Sequence, residues 1–298
     1  MTSYALTLIA NPESTPLQPV HLERVLQRLE LSAQTHWLAP EEACDLVIDS
    51  HSIAADITAK ARDALAGYSI DIACTLNQSR RKKLLISDMD STVINQECID
   101  ELADAIGIGP QIREITASVI QGDISFSEAL RKRLLLMKGM DERELEIVYQ
   151  QRITLKSGAI TLVQTMRQQG AFCILVSGGF TYFTCRMAAR LGFHEHQGNE
   201  LIFNRGKLTG EAREPILGRS AKLDILKTLC VDKGLSMSDV AAVGDGANDI
   251  DMIQAAGLGV AFHDSGSLRQ QSDACIEYAD LTALLYIQGF HKSEFVVA

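Results

Sequence analysis

The chain has seven cysteines in 298 residues, and no two of them form a C-x-x-C pair. Their number is odd, so a disulfide framework is not expected; the thiols read as reduced, mostly buried residues of a cytoplasmic protein. No apolar run is long enough to span a bilayer. The opening MTSYALTLIANPES lacks a basic n-region and a full apolar h-region, so no signal peptide is expected. Positive charge is in short supply, with 28 Lys and Arg against 38 Asp and Glu, a net charge of −10. That balance argues against nucleic acid or an anionic membrane as the main partner, and it suits a cation or a small charged metabolite. Internal repeats and low-complexity tracts are also missing. What remains is an ordinary soluble composition, 22% charged, at a length that suggests about two domains.

Residues 1–80 read as a small unit of their own. YALTLIA is a strand, and Pro19 opens a helix with Leu22, Val25, Leu26 and Leu29 at helical spacing. SAQTHWLA and ACDLVID are two further strands, and Ser52 is placed to cap a helix carrying Ile53, Ile57, Ala61 and Leu65 on one face. YSIDIACTL alternates like a half-buried last strand. The order βαββαβ is that of a ferredoxin-like fold, and the unit holds no cluster of acids, bases or nucleophiles. The basic run NQSRRKK (77–83) reads as a solvated linker. From there to residue 298 the pattern changes. Apolar runs at 84–88, 171–177, 239–245 and 257–262 each end in polar residues and alternate with helical patterns. This is the signature of an α/β, Rossmann-like parallel sheet covered on both faces, whose ligands bind beyond the carboxyl ends of the strands. Some 80 residues separate the first two of these strands, far more than a crossover needs. They read as several helices, a cap at about 97–157 lying over the end of the first strand.

The chemistry gathers at the strand ends. Asp88 and Asp90 flank Met89 in LLISDMDSTV. A helix N-cap would account for one acid but not for both. A hard divalent cation binding carboxylate oxygens would relieve their repulsion. VGDGANDID is a second acidic cluster, in which Asp245 ends a strand and Asp249 lies one turn further. The spacing and the missing terminal glutamate exclude an EF-hand, and these acids suit Mg²⁺. VSGGF ends another strand and opens a helix, so the Ser177 hydroxyl and the free N–H groups would cradle an anion. Lys222 starts an amphipathic helix, and its role is not assignable from that residue alone. His194-Glu195-His196 lacks further metal ligands, and 200–212 reads as a hairpin through Asn204-Arg205-Gly206.

Taken together, DMDST, VSGG, Lys222 and GDGAND resemble the haloacid dehalogenase-like phosphohydrolases, and more closely the phosphoserine phosphatase family. DMDSTVINQE, FSEALRKR, VSGGF, GNEL and VGDGANDIDM carry that closer likeness, which covers residues 84–289. Residues 1–80 resemble a diverged ACT-type domain by element order only, and such a unit implies a homodimer and a serine-binding role.

The family likeness implies Mg²⁺-dependent hydrolysis of phosphoserine, the last step of serine biosynthesis, through an aspartyl-phosphate on Asp88. It makes Asp90 the general acid and base. It gives the metal to Asp88, the carbonyl of Asp90 and Asp245, with Asp249 in support. Ser177, Gly178 and Lys222, with Gly179 beside them, would hold the phosphate oxygens, and Asn248 would position them. Glu97 would take the substrate ammonium and Arg133 its carboxylate, with Arg131 as the substitute. Asp264-Ser265-Gly266 departs from the family's usual Ala-Lys-Pro turn. Two other readings remain open: a related phosphatase or phosphotransferase for another small phosphomonoester, and a non-catalytic serine sensor. The intact Asp88, Asp90, Lys222 and Asp245 weigh against the sensor.

Overall fold

A computed structural model describes residues 1–120, 123–263, 266 and 268–297. The first elements are β1 (Thr2–Ala10), α1 (Pro19–Leu29), β2 (Gln34–Ala39), β3 (Ala43–Ser50), α2 (Ala54–Ala64) and β4 (Ile70–Leu76). They form a four-stranded antiparallel sheet in the order β2-β3-β1-β4. Pro19 does open α1, where its missing N–H costs nothing. The expected cap of α2 differs: Ile53 is the N-cap and Ser52 instead donates its backbone N–H to Ser50 Oγ at 3.0 Å.

Alternation sorts this sheet into two faces. Leu6, Leu8, Leu46, Ile48, Ile72 and Cys74 pack on α1 and α2 through Val25, Leu29, Ile57 and Ala61. Ile9, Ala43 and Ala73 belong to the large core that continues into the rest of the chain. β4 is therefore buried along most of its length, not half-buried. The basic run is solvated at Arg81 and Lys83 but not at Arg80. Arg80 pairs with Asp45 across both side-chain oxygens (2.5 and 3.1 Å) and donates to Thr7 Oγ1 and to the carbonyls of Tyr286 and Ile287. A guanidinium forms this many bonds because its five donors lie in a fixed fork.

Next come β5 (Leu84–Ser87), then α3 (Cys98–Ala105), α4 (Gly109–Ile120), α5 (Phe126–Leu136) and α6 (Arg143–Gln151), which make up the expected helical insertion. They are followed by α7 (Ala159–Gln168), β6 (Phe172–Phe180), α8 (Thr181–Leu191) and β7 (Glu195–Asn199). A hairpin of β8 (Leu201–Asn204) and β9 (Lys207–Ala212) precedes α9 (Arg219–Lys233), β10 (Val240–Gly244), α10 (Ile250–Ala255), β11 (Leu258–Phe262), β12 (Ala274–Ile276) and α11 (Ala283–Ile287). The second sheet is wholly parallel, in the order β12-β11-β10-β5-β6-β7. Its inner strands and the start of β6 read as near-continuous apolar runs because both faces are covered, whereas the edge strand β7 is polar. Leu85, Cys173, Leu175, Ala241 and Val243 face one core. Leu84, Ile86, Ile174, Val240 and Ala242 face the other. Among the described residues no helix is long and apolar enough to cross a membrane.

β5 lies between β10 and β6, so the chain order reverses there. Ligands of such sheets bind at that switch point, off the carboxyl ends.

Candidate active site

The switch point brings the acids together. Asp88 follows β5 directly, and its N–H bonds to Val243 O of β10 at 3.0 Å. Asp245 follows β10, so the register of the two strands places both carboxylates on one rim. Ser177 enters from β6, the other neighbour of β5. β6 runs four residues past Val176 with a register shift before Phe180, and α8 starts only at Thr181, later than the glycines suggest.

Lys222, from the first turn of α9, is 1% exposed. Its Nζ lies 2.8 Å from Asp88 Oδ1 and 2.6 Å from Asp249 Oδ1. Met89 N–H also donates to Asp88 Oδ1 (2.7 Å), and Asn248 Nδ2 donates to Asp88 Oδ2 (3.2 Å). The nucleophile candidate is thus held at both oxygens. Asp90 turns its carboxylate the other way. Oδ1 accepts the Cys98 N–H at the start of α3 (2.9 Å), and Oδ2 accepts the Ser177 hydroxyl (3.0 Å). Gly179 N–H donates to Ser177 Oγ at 2.8 Å. At Gly244 a Cβ would lie 2.3 Å from Asp249 Oδ2, so only glycine lets Asp249 approach this close.

Three carboxylates, Asp88, Asp245 and Asp249, therefore share the field of one ammonium, and Asp90 adds its own charge beside them. Burial raises the pKa of Asp90, and the Asp88 charge adds to it against the Cys98 and Ser177 hydrogen bonds. Burial, then Asp88, pushes Asp245 up to about 7, with the Thr92 bond opposing. Burial and Asp88 likewise push Asp249 up to about 8, although Lys222 opposes. Burial alone would lower Lys222, but Asp249 and Asp88 outweigh it and hold the ammonium charged. One cation is too few for this much negative charge. Asp88, Asp245 and Asp249 each present an oxygen within 4.8 Å of the others. An all-carboxylate donor set of this kind fits a hard divalent cation.

The cap supplies the remaining candidates. Glu97 is the N-cap of α3 and accepts the Ser91 hydroxyl at 2.8 Å. The residue as a whole is exposed, and a local loss of water at its carboxylate, to which the charge of Asp90 adds, raises its pKa. Arg133 projects inward from α5 and is 8% exposed. Burial lowers its pKa, against the attraction of Asp100 and Glu97. Arg131, the substitute, is tied to Glu214 at 2.7 Å on the outer surface. His194 and His196 also have structural partners: Cys173 N–H donates to His194 Nδ1, and Thr184 Oγ1 bonds His196 Nδ1. Asp264 and Ser265 lie outside the described residues.

Three side chains at the site were not singled out from the sequence. Thr92 donates to Asp245 Oδ1 at 2.6 Å; its place in D-S-T is the only signal for it. Asn199 is buried and braces the Ser-Gly-Gly turn. Its Nδ2 donates to Gly178 O (2.8 Å) and Leu217 O (3.1 Å), and its Oδ1 accepts Leu217 N–H (2.7 Å). Phe126 of α5 closes over Gly178, where a Cβ would meet its ring at 2.8 Å. Nothing in sequence spacing marks a cap aromatic for that contact.

A family model for haloacid dehalogenase-like hydrolases matches residues 85–254. A phosphoserine phosphatase from Archaeoglobus fulgidus is 41% identical over 206 residues, 69% of this chain and 60% of that protein, so the chain spans about three fifths of that relative. A solved phospho-aspartyl intermediate analogue of phosphoserine phosphatase is 37% identical, with a TM-score of 0.65 over 69% of this chain and 98% of the other. The unliganded structure of a probable phosphoserine phosphatase from Vibrio cholerae is 27% identical, with a TM-score of 0.79 over 98% and 88% of the two chains.

Proposed function

The chain belongs to the haloacid dehalogenase-like hydrolases, and within them to the phosphoserine phosphatases; from that premise we propose that it hydrolyses O-phosphoserine to serine and phosphate through an aspartyl-phosphate on Asp88. The observation that carries this reading is the pairing of two differently held acids. Asp88 is fixed beside a buried ammonium, while Asp90 is held by the Cys98 N–H and the Ser177 hydroxyl instead, and burial raises its pKa, the direction a general acid needs.

An oxygen of Asp88 attacks phosphorus, the bond from phosphorus to the serine oxygen breaks, and Asp90 gives its proton to that oxygen as it leaves. Asp90, now ionised, takes a proton from water. The water oxygen attacks phosphorus, the acyl-phosphate bond breaks, and Asp88 is restored. Ser177, the Gly178 N–H and Lys222 stabilise charge on the phosphoryl oxygens, Asn248 positions the group, and Gly179 and Asn199 hold the turn in shape. A divalent cation, Mg²⁺ in this reading, would be held by Asp88, the carbonyl of Asp90 and Asp245 with Asp249 in support, and would supply positive charge beside the phosphate. Glu97 and Arg133, which feel each other's charge across the cap, present an acid and a base to the ammonium and carboxylate of phosphoserine.

This places the enzyme at the end of serine biosynthesis, in the cytoplasm. The open β2 edge of the antiparallel sheet suits pairing of two copies through residues 1–80. Sedimentation at a single-chain mass of 32.6 kDa would remove that part of the reading. The central test is phosphate release from phosphoserine, phosphothreonine and phosphoglycolate, with and without Mg²⁺. Phosphoserine should be preferred, and Asp88→Asn should lose activity by orders of magnitude while its melting curve stays near wild type. A preference for phosphoglycolate would point to another phosphomonoester, and an active Asp88→Asn enzyme would remove the covalent step.

A further inference from the structure

Asp100 stands in the first turn of α3, three residues after Glu97. An acid in a first turn is ordinarily a solvated group attracted by the helix dipole. Asp100 is not: its Oδ1 is buried and has no hydrogen-bond partner. A buried, unpartnered carboxylate oxygen is unfavourable unless a charge nearby compensates it. The strongest such charge is Arg133, followed by Arg113. Arg113 is already engaged, at 3.0 and 3.2 Å from the two oxygens of Asp104.

Arg133 has the complementary problem. Its guanidinium is buried, its one hydrogen bond is a long Nε–H contact to Ala129 O (3.4 Å), and the Phe126 ring lies 5.9 Å away. Among the described residues no carboxylate comes within 4.0 Å of it. Asp100 is its strongest charged neighbour and Glu97 the next. A half-buried carboxylate with one orphaned oxygen and a largely buried guanidinium thus interact by charge in the cap without closing into an ion pair.

We propose that Asp100 is a positioning residue, which holds the Arg133 fork by charge inside the cap so that a substrate carboxylate meets it already oriented. The gap between them leaves the guanidinium donors unspent, and Glu97 stays free for the ammonium. A direct Asp100–Arg133 bond would occupy the donors; no counter-charge at all would let the long side chain withdraw to water. The inference rests on the reading of Arg133 as the carboxylate ligand.

The test compares wild type, Asp100→Asn, Asp100→Glu, Arg133→Ala and the double variant Asp100→Asn/Arg133→Ala, each on phosphoserine and on p-nitrophenyl phosphate, which has no carboxylate. Asp100→Asn keeps the shape and removes the charge. It should raise KM for phosphoserine about five- to tenfold, the range of a modest coupling between neighbouring groups. Its kcat should stay within about twofold, and p-nitrophenyl phosphate kinetics should not move. Asp100→Glu should recover most of the lost affinity. The double variant should be no worse than Arg133→Ala. An unchanged or lower KM in Asp100→Asn overturns the inference, as does an equal loss on both substrates. If Arg133→Ala raises KM for phosphoserine and Asp100→Asn does not, the Asp100 inference alone fails. If Arg133→Ala leaves that KM unchanged, the reading of Arg133 fails first.

Discussion

The crowding of carboxylates at the strand ends has a consequence for stability that can be measured without turnover. Burial, and then the charge of Asp88, pushes Asp245 up to about 7 from the 3.8 of an ordinary Asp. A carboxyl whose pKa is raised by folding keeps its proton longer in the folded chain. Between the two pKa values the folded state binds more protons, so stability falls as pH rises through that window. Three pH units at about 1.36 kcal/mol each give an upper bound of about 4 kcal/mol for Asp245. Asp249, pushed up to about 8, shares the same field and cannot simply be added. A chain of this size loses roughly 2–4 °C in Tm per kcal/mol. Only about two of those three units lie between pH 5 and pH 8, about 2.7 kcal/mol at the same 1.36 kcal/mol each, so in EDTA the Tm should drop on the order of 5–10 °C over that range. A divalent cation displaces the protons and replaces their charge, so Mg²⁺ should raise Tm more at pH 8 than at pH 5. Asp245→Asn removes one anion, and in EDTA at pH 8 it should be more stable than wild type, with a flatter pH profile. Differential scanning fluorimetry across pH 5–8.5, with EDTA and with MgCl₂, reads all of this. A metal-free Tm that is flat or rising over that range, with an equal Mg²⁺ increment at both ends, would refute the reasoning.

Asn199→Ala should cost about 2–4 kcal/mol in urea unfolding, because it strands the Leu217 N–H and two buried carbonyls. It should also lower kcat about 10–100-fold as the Gly178 turn loses its brace; unchanged kcat in a folded variant would show that the turn holds itself. Arg80→Ala leaves Asp45 buried without its partner and should cost about 3–5 kcal/mol. Chemical denaturation checks it, and a loss below about 1 kcal/mol would mean that water replaces the guanidinium.

The acids and the serine of the site are legible in the sequence because their positions follow from strand periodicity. AAVG and CILV are apolar throughout and LLIS is broken only by the buried Ser87, so the polar residue that follows each marks the open end of a buried parallel strand. Asp88, Asp245 and Ser177 are those residues, and pairing of β5 with β10 and β6 brings them to one rim. The cap is less legible. Arg131 and Arg133 stand two apart on one helix and so point to different sides. Their own periodicity does not say which side meets the cleft; the packing of Leu130 and Leu134 decides it. Asn199 and Phe126 fall within the GNEL and FSEALRKR segments that carry the family likeness, but periodicity gives neither a role. Each acts on a turn distant in sequence, and neither lies at a strand end or in a charge cluster.

The antiparallel sheet shows where periodicity is ambiguous in principle. Thr7, Asp45 and Asp71 alternate with apolar residues, a pattern that reads as a water-facing side. They are 0%, 4% and 4% exposed. The second face is covered by the rest of the chain, which meets each polar group with a matching one. Asp71 accepts the backbone N–H groups of Glu277, Tyr278 and Ala279 just after β12. Asp45 takes Arg80 and the Thr7 hydroxyl. Tyr286 donates to Glu42 at 2.9 Å. A polar face paired with protein and a polar face paired with water have the same alternation, and only the partners distinguish them. The charges of 77–83 were ambiguous for the same reason, since one of the four cations is buried in that seam. Residues 1–80 therefore share a core with the rest of the chain, and Asp71 and Arg80 bond its backbone just after β12 and in α11.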